Sequence, residues 1–211
     1  MRRRNRWVKT LFWGSVLGVA ALLLVVFSGV AVGAFEQRTL PVPQPVPFSH
    51  ALHAGGLGLS CRYCHAAVEH AAYAGLPPTE TCMTCHTYVK TQSPNLAPVR
   101  RSWETGEPIR WNRVVNLPDF VYFHHAAHVA KGVGCAECHG RVDQMPVVYQ
   151  PQAFTMKFCL DCHRHPEARL RPREEVFNMA YRPDPALGAR LKALYHVRPP
   201  EALTSCNTCH R

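Results

Sequence analysis

Acidic residues are scarce in this 211-residue chain: 14 Asp and Glu stand against 24 Lys and Arg, for a net charge of +10. Beyond the first nine residues the basic residues are scattered, not striped, which argues against a DNA or RNA partner. Charge of either sign is absent from residues 11–35. Cysteine is absent outside one short motif, so no thiol is left over to build a separate disulfide framework. Residues themselves are in short supply relative to those motifs. Beyond residue 36 about 175 remain, some 35 per motif, too few for a large apolar core of their own.

What is present is a pentapeptide, five times over. All ten cysteines lie in Cys61-Arg62-Tyr63-Cys64-His65, Cys82-Met83-Thr84-Cys85-His86, Cys135-Ala136-Glu137-Cys138-His139, Cys159-Leu160-Asp161-Cys162-His163 and Cys206-Asn207-Thr208-Cys209-His210. Cys-x-x-Cys-His is the attachment pattern of c-type haem: two thiols add across the vinyl groups and the adjoining histidine takes the iron. Two intervening residues let both sulfurs reach one porphyrin edge, and the next residue turns beneath the ring. Structural zinc, a redox dithiol and disulfide staples are the competing uses of paired cysteines. None of them explains a histidine after every second cysteine. The expectation is therefore five covalently bound haems c, with His65, His86, His139, His163 and His210 as proximal iron ligands. The porphyrins would supply the missing core, and the arginine excess would pair with their propionates.

Five cations (Arg2, Arg3, Arg4, Arg6 and Lys9) precede the uncharged run. Residues 1–10 read as a cytoplasmic stub and 11–35 as a transmembrane anchor helix, since about 20 apolar residues cross a bilayer. The haem-bearing part then lies on the periplasmic side of a bacterial cytoplasmic membrane. The competing reading is a cleaved signal peptide with its cut site at Val32-Gly33-Ala34, but the run exceeds an ordinary apolar signal core and lacks a polar end. Residues 36–47, with Pro41, Pro43, Pro45 and Pro47, read as an extended spacer. Residues 48–211 form the pentahaem domain.

That domain carries an internal repeat. Phe48-Ser49-His50-Ala51-Leu52-His53 precedes the motifs at Cys61 and Cys82, and Phe123-His124-His125-Ala126-Ala127-His128 precedes those at Cys135 and Cys159. The two-motif units are 48–90 and 123–165, and the motif at 206–210 stands alone. Histidines at i and i+3 of a helical turn project on one side, so each pair can reach two irons. His50, His53, His125 and His128 are the expected distal ligands. Spacing does not assign each to an iron; in multihaem proteins of this pattern the first of a pair serves the motif that follows. His70, His124 and His165 read as solvent-facing or propionate-bonding. For the fifth distal ligand Met145 is favoured by analogy, with Met156 and His196 as alternatives. Secondary structure should be sparse: the anchor, short helices at the motifs and one over 185–194, in a mainly α fold with much irregular chain and haem packing like that of class III cytochromes. The stretch 91–120 reads as a long connection, whose Trp103, Arg110 and Trp111 either anchor a partner or cover haem edges.

Several segments go beyond haem motifs: Pro47-Phe48-Ser49-His50, Gly75-Leu76-Pro77-Pro78-Thr79-Glu80-Thr81-Cys82, Pro108-Ile109-Arg110-Trp111-Asn112-Arg113-Val114, Lys131-Gly132-Val133-Gly134-Cys135 and Arg171-Pro172-Arg173-Glu174-Glu175-Val176-Phe177-Asn178-Met179. With the anchor, they resemble the membrane-anchored pentahaem cytochrome c subunit of bacterial alternative complex III, over nearly the whole chain. The resemblance implies a quinol-oxidising respiratory or photosynthetic complex. Its partners would be an iron–sulfur subunit related to molybdopterin oxidoreductases, polytopic quinol-binding membrane subunits and a monohaem cytochrome c. The chain would relay electrons from the iron–sulfur side towards that cytochrome or a terminal oxidase, with no substrate site of its own. The competing functions are a quinol-dehydrogenase cytochrome feeding a different periplasmic reductase, and a multihaem reductase with one open haem.

Overall fold

The structure is a computed structural model and describes residues 2–210. The chain divides between Leu40 and Pro41 into two units. The first is one helix, α1 (Arg2–Thr39), longer at both ends than the uncharged run. Its stretch Arg6–Val30 has a mean hydropathy of 2.3 and the length to cross a bilayer. Apolar side chains are exposed all round it, Leu17, Leu24 and Phe27 among them.

In the second unit the described residues form no strand; a single antiparallel bridge joins Val133 to Leu170. Short helices follow one another: a π-helical turn (Ala51–Gly56), α2 (Cys61–Cys64), α3 (Thr79–His86), α4 (Ala97–Thr105), α5 (His125–Ala130), α6 (Cys135–His139), α7 (Met156–Arg164), α8 (Pro185–Leu194) and α9 (Pro200–Leu203). The fold is thus mainly helical with much irregular chain, as the sequence led us to expect. The local chemistry is conventional. Thr155 Oγ1 accepts from Phe158 N at 3.3 Å to cap α7, and Asp184 Oδ1 accepts from Ala186 N at 2.9 Å ahead of Pro185 in α8. Helix α4 lies inside the stretch read as a plain connection. Pro98 opens it, Gly106 closes it at φ 72°, and Thr79 Oγ1 bonds Ser102 Oγ at 2.6 Å to hold it against α3.

The polypeptide's own core is small. Leu170, Leu191 and Tyr195 form one cluster, flanked by Val133, Leu187 and Val197. Around the pentapeptides, by contrast, Leu52, Leu57, Phe120 and Tyr122 are each more than half exposed within the polypeptide. The Pro-rich run is extended and docked. Val42 N donates to Val148 O at 3.1 Å, Gln44 exchanges two hydrogen bonds with Asn112, each 2.9 Å, and Val46 is buried.

Candidate haem-binding site

Each pentapeptide forms a helical turn, and this turn fixes the geometry of attachment. In the first motif His65 N donates to Cys61 O at 2.8 Å, and in the fifth His210 N donates to Cys206 O at 2.9 Å. The two cysteines therefore face one side while the histidine swings below. None of the ten thiols is disulfide-bonded. Burial pushes the Cys135 thiol up to about 11 and the Cys138 thiol up to about 12. Redox dithiols work through a depressed thiolate, so these environments do not suit one. Among the described residues no three His, Cys, Asp or Glu gather as a metal cage of their own, which also leaves the zinc reading without a site.

The histidines meet in pairs. His50 faces His65 with ring centres 6.4 Å apart and planes 3° from parallel, and His125 faces His139 at 6.2 Å and 8°. His53 stands 6.3 Å from His86 at 65°, and His128 stands 6.2 Å from His163 at 29°. Two imidazole nitrogens each about 2 Å from one metal lie about 4 Å apart, and each ring adds about 1 Å to its centre, giving about 6 Å. All four gaps have that width. These residues fit an iron porphyrin inserted between each pair, with the half-exposed apolar side chains beside the motifs as walls.

Ring orientation is set from behind. Nδ1 of His65 donates to Gly75 O at 2.8 Å, that of His86 to Val89 O at 3.0 Å, that of His163 to Leu203 O at 2.9 Å and that of His210 to Phe120 O at 3.1 Å. Nδ1 of His53 reaches Ser49 O at 2.9 Å, that of His128 reaches His124 O at 2.8 Å and that of His125 reaches Ala72 O at 2.8 Å. A carbonyl carries no proton, so Nδ1 must be the protonated nitrogen. Nε2 is left with its lone pair free for a metal. Burial holds His50 and His139 down to about 4 and also lowers His128, which keeps these rings in the neutral form that a metal requires. The Nδ1 atom of His50 is buried without a partner.

Sequence reasoning missed the role of two phenylalanines. Phe48 stacks on His53 at 4.4 Å and meets His50 edge-on at 4.9 Å; Phe123 repeats this on His128 at 4.5 Å and His125 at 4.7 Å. One aromatic ring thus clamps each histidine pair, and its recurrence two residues ahead of both pairs was the available signal. Also missed was a set of arginine–carboxylate pairs, one of them built on a buried guanidinium. Arg171 is fully buried, ion-paired to Glu137 of the third pentapeptide, and donates through Nη1 to Asn178 O at 3.0 Å. Arg169 Nη1 holds the other Glu137 oxygen at 3.0 Å, and Arg141 pairs with Asp143 at 2.7 Å. These three arginines meet protein carboxylates, where the sequence had suggested propionates.

Other expected residues lie as follows. Met145 is buried, with its carbonyl accepting from Ala51 N at 3.1 Å and its methyl group near Gly140. Met156 and His196 are exposed, the latter with φ 50°. His70 and His165 are exposed, and His124 Nδ1 accepts from Ala127 N at 3.3 Å to cap α5. Trp103 is half exposed, Trp111 less so, and Arg110 is exposed.

Short helices around Cys-x-x-Cys-His turns, with no strand among the described residues, are the architecture of a multihaem cytochrome c. Residues 121–211 match the family described as cytochrome c7 and related cytochrome c. Over 97 residues, 46% of the chain, the sequence is 38% identical to the protein named menaquinone reductase, multiheme cytochrome c subunit, of Nitratidesulfovibrio vulgaris. The match takes in 45% of that protein, so the chain spans less than half of the curated relative's length.

Proposed function

We propose that this chain is the electron-relay cytochrome subunit of a membrane-bound quinone oxidoreductase complex and carries five haems c. The observation that carries the reading is the set of four facing histidine pairs, His50–His65, His53–His86, His125–His139 and His128–His163, at 6.2–6.4 Å. Haem c, when bound, supplies reversible one-electron chemistry at iron. The protein's residues do the rest. Cysteine pairs at 61/64, 82/85, 135/138, 159/162 and 206/209 hold each group covalently, and the histidine of each pentapeptide takes one face. His50, His53, His125 and His128 close the opposite face of four, which leaves no position there for a substrate. Met145, Met156 or His196 serves the face opposite His210. A sulfur–iron charge-transfer band in the oxidised spectrum would select a methionine.

Helix α1 is retained as the anchor, with Arg2, Arg3, Arg4, Arg6 and Lys9 on the cytoplasmic side and the second unit in the periplasm. The finer reading is a subunit of alternative complex III. There it would work beside an iron–sulfur subunit, polytopic quinol-binding subunits and a monohaem cytochrome c, and pass electrons outward from quinol. The relative named menaquinone reductase favours a second reading, in which electrons pass from the periplasm to menaquinone.

The test isolates the protein from native membranes with its partners. Five covalent haems per chain, low-spin spectra unshifted by carbon monoxide and co-purifying membrane and iron–sulfur subunits are expected. Reduction of the haems by added quinol supports the first direction; their oxidation by added menaquinone supports the second. A haem that binds carbon monoxide would instead point to a reductase.

A further inference from the structure

Adjacency among the five pentapeptides is written in contacts between their supporting turns. His50 and His53 share one turn, so the sites at His65 and His86 are neighbours, and Tyr63 Oη bonds Thr84 Oγ1 at 2.7 Å between those two motifs. His125 and His128 share α5, which makes the sites at His139 and His163 neighbours. Glu137 of the third motif also grips Arg169 and Arg171, which follow the fourth.

The two-motif repeats 48–90 and 123–165 join through the first and third motifs. His125 N donates to Ala72 O at 3.1 Å, and Ala126 N donates to Ala71 O at 3.1 Å, on the loop that leaves His65. On the other side Ala51 N donates to Met145 O, and Asp143 O lies so close to Gly55 that a Cβ there would sit 2.2 Å away. The fifth motif joins the fourth: His163 Nδ1 donates to Leu203 O at 2.9 Å, three residues ahead of Cys206. Tyr122 N donates to Cys209 O at 2.8 Å, tying that motif to the segment entering α5.

We infer that the attachment sites form one unbranched series, in the order Cys82–His86, Cys61–His65, Cys135–His139, Cys159–His163, Cys206–His210. The inference rests on the five-haem reading and deepens it by naming the order. Electrons do not follow the order of the sequence: the second motif is one terminus and the fifth is the other. Both ends are open. Cys85 and Cys206 are exposed, and Tyr88, two residues past His86, is 86% exposed. The third motif occupies the centre, where Gly134 beside it is buried. The partner that delivers electrons and the one that receives them therefore meet opposite ends of the series.

The test combines two measurements on the full-length holoprotein with its native partners. Protein mass and haem absorbance count covalent haems, and anomalous scattering at the iron edge locates each iron on its cysteine pair. Five irons, with those of His86 and His210 each having one near neighbour and the His139 iron third in line, are the expected result. Five irons in another order, or a branch, would overturn the inference and leave the relay reading standing. Fewer than five covalent haems would overturn both.

Discussion

At Gly134 the fold has no room for a side chain. A Cβ there would lie 2.1 Å from the Arg171 guanidinium carbon, and at Gly132 (φ 78°) it would lie 2.5 Å from Arg171 O. The guanidinium cannot retreat, since Glu137, Asn178 O and the Tyr181 ring 5.0 Å away hold it. Gly134→Ala should cost about 1–3 kcal/mol through overpacking, read as a lowered unfolding temperature of the holoprotein. Removing one buried partner, as in Glu137→Gln, leaves Arg171 buried with an unpaired charge and should cost about 3–5 kcal/mol in the same measurement. The pH dependence is also set residue by residue. Burial holds His50 and His139 down to about 4, against 6.5 in the unfolded chain. Between those values the unfolded chain binds protons that the folded chain excludes, so stability rises with pH across the window and is lost as pH falls from 6.5 towards 4. The unfolding temperature, measured from pH 7 to pH 4, should fall along that course; a profile flat down to pH 4 would contradict it.

Among the elements, α8 carries the only cluster of aliphatic core that the polypeptide builds from its own described residues, and its changes should behave as ordinary core changes. Leu191→Ala should cost about 2–5 kcal/mol, while Lys192→Ala, which loses a part-exposed pair with Glu167 at 3.0 Å, should cost under about 1 kcal/mol. Phe123→Leu should leave haem content intact but loosen the His125 and His128 rings, seen as broadened electron paramagnetic resonance lines. These elements differ in how far the sequence disclosed them. Helix α8 was plain from Pro185 opening an Ala/Leu-rich run, and the motif turns were plain from Cys-x-x-Cys-His spacing. Helix α4 was overlooked although Pro98 and Gly106 frame it, because only Val99 and Trp103 supply large apolar side chains over its nine residues. The grip of Arg171 on Gly134, and the carbonyls of Gly75, Ala72 and Leu203 behind the histidines, were not legible. They depend on segments brought together by tertiary packing, and backbone acceptors leave no trace in residue type.

For the whole molecule the thin core is the governing fact. Buried aliphatic side chains in the second unit are few, and apolar residues such as Leu57 (63% exposed) and Phe120 (63% exposed) find no cover within the polypeptide. Chain made without covalent haem should therefore lack a cooperative thermal transition by circular dichroism, and should bind a hydrophobic dye. One native-like unfolding step in that material would contradict the proposal that cofactors form the interior. The four histidine pairs meanwhile share identical ligand chemistry yet cross at 3°, 8°, 29° and 65°. Ring orientation governs how imidazole π-donation splits the d orbitals of a ferric ion. Chemically equivalent centres thereby acquire separate magnetic fingerprints, and the one at His53 and His86 should be the outlier by which a spectroscopist tells one end of the relay from its middle.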